Sequence, residues 1–248
     1  MNDTIHYVDD DQLKHHIRKY HQSNAFSSYL QEIVYGGSDG IVSMLAVISG
    51  FAGANIANTT LATAVVLIFG LANLFADASS MGLGNFLGIR SERAVWNRQR
   101  TKQIYQLHAD QTKARESLEF LLLRKGYSRS QVKILAELIQ SNEDHWVQFT
   151  LQEELGIGDS VNENSYLSSL FTFLSFITFG GLPLIPYFFE TFQYQFYTSL
   201  GLALLSLTIL GFIRQYGTKE TLLRSVGETV LVGGVSSLIA FIVGVLVG

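Results

Sequence analysis

Residues 33–54 read IVYGGSDGIVSMLAVISGFAGA, and residues 60–89 read TLATAVVLIFGLANLFADASSMGLGNFLGI. Between Val34 and Arg90 only Asp39 and Asp77 carry a charge. Each stretch meets the length of about 20 apolar residues that a helix needs to cross a bilayer. A carboxylate at that depth is costly, and it persists where it faces a partner, a cavity or an ion path. Two of them on consecutive spans point to a chain that binds or moves a cation inside a membrane.

The rest of the composition agrees. Of 248 residues, 48% are hydrophobic and 15% charged, against about 25% charged in an ordinary soluble domain. There is no cysteine, which excludes disulfides, thiolate metal sites and cysteine nucleophiles. A net charge of -4 without a Lys/Arg-rich run argues against a nucleic-acid partner. The first 32 residues are polar, carry His6, His15, His16 and His21, and lack the basic start and apolar stretch of a signal peptide. They are expected to stay in the cytoplasm.

Three further segments are long and apolar enough to span: 166–189, 194–213 and 226–247. The second span exceeds what a bilayer requires and is expected to tilt or to project from it as a helix. Eleven of the 17 Lys and Arg residues fall between Arg90 and Lys133, three precede the first span, and Arg214, Lys219 and Arg224 separate the last two. The connections at 55–59 and 190–193 have none. The positive-inside rule then puts the N-terminus, the long insert and the 214–224 loop in the cytoplasm and the C-terminus outside. The expected fold is an all-α membrane protein with five transmembrane helices per subunit and a cytoplasmic three-helix insert between the second and third. Its parts are a cytoplasmic N-terminal segment (1–32), spans one and two (33–90), the cytoplasmic helical domain (91–164) and spans three to five (165–248).

The insert has no proline and repeats apolar residues at helical spacing, as in Leu118, Leu121, Leu122 and in Val132, Leu135, Ala136, Ile139. Gly126 reads as a helix stop, Ser128 or Ser130 as the next start, and Gly156 as the end of a helix from Asp144 to Leu155.

The chemistry-bearing residues fall in two groups. Glu32, Gly36, Asp39, Gly40 and Ser43 share one helical face, and the two glycines allow close helix approach. Asn73, Asp77, Met81 and Asn85 recur every fourth residue along the second span. Carboxylate and amide oxygens suit hard divalent ions, and a thioether favours softer transition metals. A lone methionine is normally core filler, but in line with Asp77 Met81 reads equally well as a ligand. Glu116, Glu119, Glu153 and Glu154 can be read as an acidic metal site or, taken alone, as solvated helix faces. Pro183 and Pro186 are expected to bend the third span. Glu228 reads as an interfacial residue of the fifth.

Several motifs occur in a recognisable order. They are Glu32-Ile-Val-Tyr-Gly-Gly-Ser-Asp-Gly40, Ile48-Ser-Gly-Phe-Ala-Gly-Ala54, and Ser80-Met-Gly-Leu-Gly-Asn-Phe86 running into Ser91-Glu92. Trp146 with Phe149 and Glu153-Glu-Leu-Gly-Ile157 follow, and then Gly181-Leu-Pro-Leu-Ile-Pro-Tyr187. From Glu32 to the C-terminus the chain resembles the vacuolar iron transporter family. The resemblance implies a homodimer that moves Fe²⁺, and often Mn²⁺, out of the cytoplasm in exchange for protons, along a path between the subunits. On that pattern Asp39 and Met81 match intramembrane ligand positions, and Glu32 matches an acidic position near the cytoplasmic mouth. Glu154 matches the last glutamate of a cytoplasmic metal-gathering site, with Glu116 and Glu119 matching a middle pair.

The departures are informative. Asn73 stands where the family often has a glutamate, so Asp77, one turn further along the stripe, is expected to supply the missing carboxylate. The segment Arg98-Gln-Arg-Thr-Lys-Gln-Ile104 is basic where the family is acidic, and Thr150 and Leu151 stand where methionines can occur. The cytoplasmic site is therefore expected to be degraded, down to a structural cap. The expected function is proton-coupled export of a divalent transition metal, with lipid, protons and a second copy as partners. No cofactor is permanently bound, because the metal is substrate. The competing reading is a membrane-anchored metal-binding or sensing protein without transport. No His-rich membrane motif or Ser/His pairing inside the spans supports an enzyme. The absence of long extensions points to a prokaryotic inner membrane.

Overall fold

The computed structural model describes residues 29–54, 60–156, 164–189, 194–218 and 221–247. The N-terminal histidines lie outside the described residues. Among these residues the α-helices in chain order are α1 (Leu30–Gly53), α2 (Thr60–Ala109), α3 (Gln111–Arg124), α4 (Arg129–Gln140), α5 (Glu143–Leu155), α6 (Ser165–Gly181), α7 (Gln195–Thr218) and α8 (Leu222–Val247). Among the described residues five stretches are long and apolar enough to cross a membrane, within α1, α2, α6 with its extension, α7 and α8. The chain divides into two compact units, residues 1–85 with 166–248, and residues 86–165.

The second span does not stop where its apolar run ends. No glycine or proline interrupts residues 89–125, so nothing breaks the helix until Asp110. The basic stretch 98–104 is the continuation of α2, a single helix of 50 residues. Asp110 then caps α3 by accepting a hydrogen bond from the Lys113 amide at 3.1 Å.

In the first unit α1 packs against both α8 and α7. Two apolar cores flank α1. One joins Met44, Ile48, Val66, Leu74 and Phe176; the other joins Ile33, Ile41, Leu45, Leu207 and Leu210. Outward faces are apolar too, and on α8 Leu231, Leu238, Ile239 and Val243 are exposed, as suits contact with lipid rather than water. Ser49 and Ser237 share a hydrogen bond of 2.7 Å between α1 and α8.

The two prolines alter the end of the third span. α6 runs to Gly181 and tightens into a 3₁₀ segment, Leu182–Phe188. Proline has no N–H to give, so an α-helix cannot continue through it with its ladder complete. One carbonyl is recovered by the neighbouring helix, where the Ser199 hydroxyl donates to Pro183 O at 2.5 Å.

The second unit has its own core of Leu118, Leu122, Val132, Ala136, Trp146 and Leu151, with Leu135 packed at its edge. Gly126 and Gly156 take positive φ of 94° and 64° after α3 and α5, conformations that favour glycine. Ser128 closes a capping box with Gln131 at the start of α4.

Candidate functional site

Asp39 on α1 and Asp77 on α2 are both exposed on the single chain, and their carboxylates lie within electrostatic range of each other. The two charges that the sequence isolates thus act on each other in the folded chain. Asn73 and Met81, one turn to either side of Asp77, are half-buried. Met81 packs at the edge of the core that holds Ala78 and Phe176.

Glu32 has different surroundings. It shares a sequence face with Asp39, yet it is only 8% exposed while Asp39 is open. On the Glu32 side α6 runs alongside α1 from Glu32 to Gly40. Gly36 and Gly40 leave no Cβ in the way, and α6 main chain fills the space: a methyl on either would stand 2.5 Å from the carbonyl oxygens of Thr172 and Phe176, respectively. One oxygen of Glu32, Oε1, accepts a hydrogen bond from the Ser168 hydroxyl. Oε2 is buried and has no hydrogen-bond partner among the described residues.

Asn85, the last residue of the α2 stripe, also turns to α6, where its Nδ2 donates to Thr172 Oγ1 at 3.0 Å. Thr172 in turn donates to the Ser168 carbonyl at 3.0 Å. A polar seam therefore joins the first three spans. Its α6 members were absent from the sequence reading. Their signal was present as Ser165, Ser168, Ser169, Thr172 and Ser175, small polar residues at helical spacing in an otherwise oily segment. Of these, all but Ser169 are buried.

The four glutamates of the insert are not gathered. Glu119 pairs with Arg115 at 2.9 Å and Glu153 with Lys125 at 2.6 Å, while Glu116 is exposed on α3. Glu154 lines a cavity of about 340 Å³ whose other polar groups include Gln103, Gln106, Lys113, Ser117 and Thr150. Among the described residues no three acidic or histidine side chains form a metal cage. Thr150 gives its hydroxyl to Trp146 O at 3.0 Å and Leu151 is fully buried, so both belong to the packing of α5. Near the start of α8, Glu228 is held between Arg214 and Arg224, each at 3.0 Å.

Among the described residues, five long apolar helices, two of them carrying Asp39 and Asp77, together with a separately cored helical unit are the marks of a multi-span membrane protein. Residues 30–245 match the VIT family, and the chain belongs to that family. It is similar to "Vacuolar iron transporter 1" of Eucalyptus grandis, at 31% identity over 86% of this chain and 84% of the relative. It is also similar to the proteins of the same name from Oryza sativa subsp. japonica, at 28% over 93% and 91%, and from Arabidopsis thaliana, at 28% over 92% and 89%.

Proposed function

We infer that this chain carries divalent transition-metal ions, Fe²⁺ with Mn²⁺ as an alternative, out of the cytoplasm in exchange for protons. The observation that carries the reading is the pair Asp39 and Asp77. They are two carboxylates on adjacent spans, close enough to feel each other's charge, and both are uncovered on the single chain. Two negative charges at membrane depth repel each other and are costly to desolvate. A divalent cation relieves both costs, and so does protonation. Metal arrival therefore displaces protons and protons displace metal, which is the thermodynamic basis of antiport.

Their exposure supports the second part of the reading. Uncovered carboxylates on a lipid-facing surface are unfavourable, and a second copy of the chain packed over them would enclose the path at a homodimer interface. Met81 beside Asp77 adds a sulfur that biases the site toward transition metals over Mg²⁺ and Ca²⁺. The names of the relatives support iron as the cargo. The charge distribution supports an insert and N-terminus on the cytoplasmic side and a C-terminus outside. In that orientation transport is export from a prokaryotic inner membrane, or filling of a compartment in membranes such as those for which the eukaryotic relatives are named.

The test is uptake of Fe²⁺ or Mn²⁺ into proteoliposomes containing an internal pH dye, comparing wild type with Asp39→Ala. Metal uptake with opposing proton movement, lost in the variant, is expected. Metal binding without flux by folded wild type would instead favour a metal-binding or sensing protein.

A further inference from the structure

The first and third spans run in the same direction and meet at a constant offset. Glu32 faces Ser168, Gly36 faces Thr172 and Gly40 faces Phe176, each pair 136 residues apart. The glycines bring α6 against α1 without a side chain between them, and this places the buried Ser168 hydroxyl on Glu32, one turn before Gly36. That hydroxyl occupies Oε1 and leaves Oε2 buried without a partner among the described residues. Ser168 is itself held in register, because its carbonyl receives Thr172 and Thr172 receives Asn85 from α2. Glu32 also stands in the first turn of α1, where the free amides of a helix N-terminus favour negative charge.

A carboxylate in this setting is built for one-oxygen binding. With Oε1 fixed by a donor, the carboxylate is held in one orientation and a cation meets Oε2 already aimed, an alignment that is lost when the donor is removed. The geometry points to Ser168 as a positioning residue that aims Glu32 Oε2 at the divalent cation before it reaches Asp39 and Asp77. Thr172 and Asn85 keep that serine in place. The inference rests on the transport reading above, and it adds the third span to the machinery.

The experiment is the initial rate of Mn²⁺ uptake into proteoliposomes of the full chain, over a range of Mn²⁺ concentrations. The proteins are wild type, S168A, S168T, E32Q and the S168A/E32Q double variant. Losing one hydrogen bond to a carboxylate should raise KM about five- to tenfold in S168A, with kcat little changed. S168T, which keeps the hydroxyl, should restore KM. S168A should add nothing once E32Q has removed the group it positions, the mark of two residues acting as one unit. An unchanged KM in S168A, a loss of kcat alone, or full additivity with E32Q would each overturn the positioning role while leaving transport intact. Wild type without flux would overturn the transport reading and this role with it. If S168A does not fold, Ser168→Cys takes its place, near serine in size and a weaker donor. Its KM should lie between wild type and E32Q, and a wild-type value refutes the proposal.

Discussion

Gly244 in the last span touches the main-chain carbonyl of Gly50 in the first, with no room for a methyl group between them. Contacts of this kind replace the hydrophobic effect inside a membrane, where lipid tails are as apolar as the side chains and close backbone packing holds helices together. Gly244→Ala must push the two helices apart, and overpacking of this sort costs about 1–3 kcal/mol. Gly84 on α2 has nothing within 4 Å of its missing Cβ. Gly84→Ala should be neutral or stabilising by up to about 1 kcal/mol through helix propensity. Thermal unfolding of the two variants in the same detergent checks the contrast, and equal melting temperatures would contradict it.

Asp39→Asn and Asp77→Asn should each lower metal flux at least about tenfold, equivalent to about 1.4 kcal/mol of lost cation stabilisation. Neutralising either carboxylate leaves a single charge where the cation needs two. Both side chains are exposed on the single chain, so the substitutions should leave the melting temperature nearly unchanged. Normal Mn²⁺ uptake by Asp77→Asn would remove that residue from the site and return attention to Asn73.

The acidic residues of the insert should behave otherwise. Glu119 and Glu153 are already paired with Arg115 and Lys125, and partly exposed ion pairs contribute about 0–1 kcal/mol each. The triple variant Glu116→Gln, Glu119→Gln, Glu153→Gln is expected to transport within about twofold of wild type, a change of under half a kcal/mol. A large fall in flux at low metal concentration, relieved at high concentration, would show that these groups gather metal after all.

Asp110 makes the start of α3 sensitive to acid. The Lys113 backbone N–H bonded to its carboxylate, helped by the Lys113 ammonium, holds its pKa below the usual carboxylate range. A carboxyl with a lowered folded pKa contributes stability above its unfolded value of about 3.9. That contribution is lost as pH falls through the folded value. Hydrogen-exchange protection in the first turn of α3 should therefore drop at low pH in wild type but not in Asp110→Asn, whose amide oxygen caps without titrating. An equal drop in both proteins would assign the effect elsewhere.

Much of this architecture was legible in the chain. The apolar runs mark five spans because a bilayer of fixed thickness leaves a composition signal that needs no tertiary knowledge. Gly126, Ser128 and Gly156 mark helix ends because caps are local events, decided by one residue's φ or one hydroxyl. The end of α2 was harder to read. Its apolar signal stops at Ile89, but the helix continues to Ala109 because nothing in the sequence breaks it. Ser168 and Thr172 were missed because a serine or threonine in a span has several partners open to it. It can bond back to its own helix, as Thr229 does to Ser225 O, or reach across to another, and only packing decides which.

Asp39, Asp77 and Glu32 stand out from sequence alone because charge in an oily segment is rare on energetic grounds, whatever the fold. What becomes of each is a tertiary matter. Glu32 and Asp39 are two turns apart on one helix, yet Glu32 is buried against Ser168 of α6 while Asp39 is open. The mutual influence of Asp39 and Asp77, the Ser168 hydroxyl on Glu32 and the pairing of Glu119 and Glu153 with Arg115 and Lys125 likewise follow from how the helices come together. Helical period and composition act within a segment and can be read from it. The partner of a side chain is set by close packing between segments, which exists only in the folded chain.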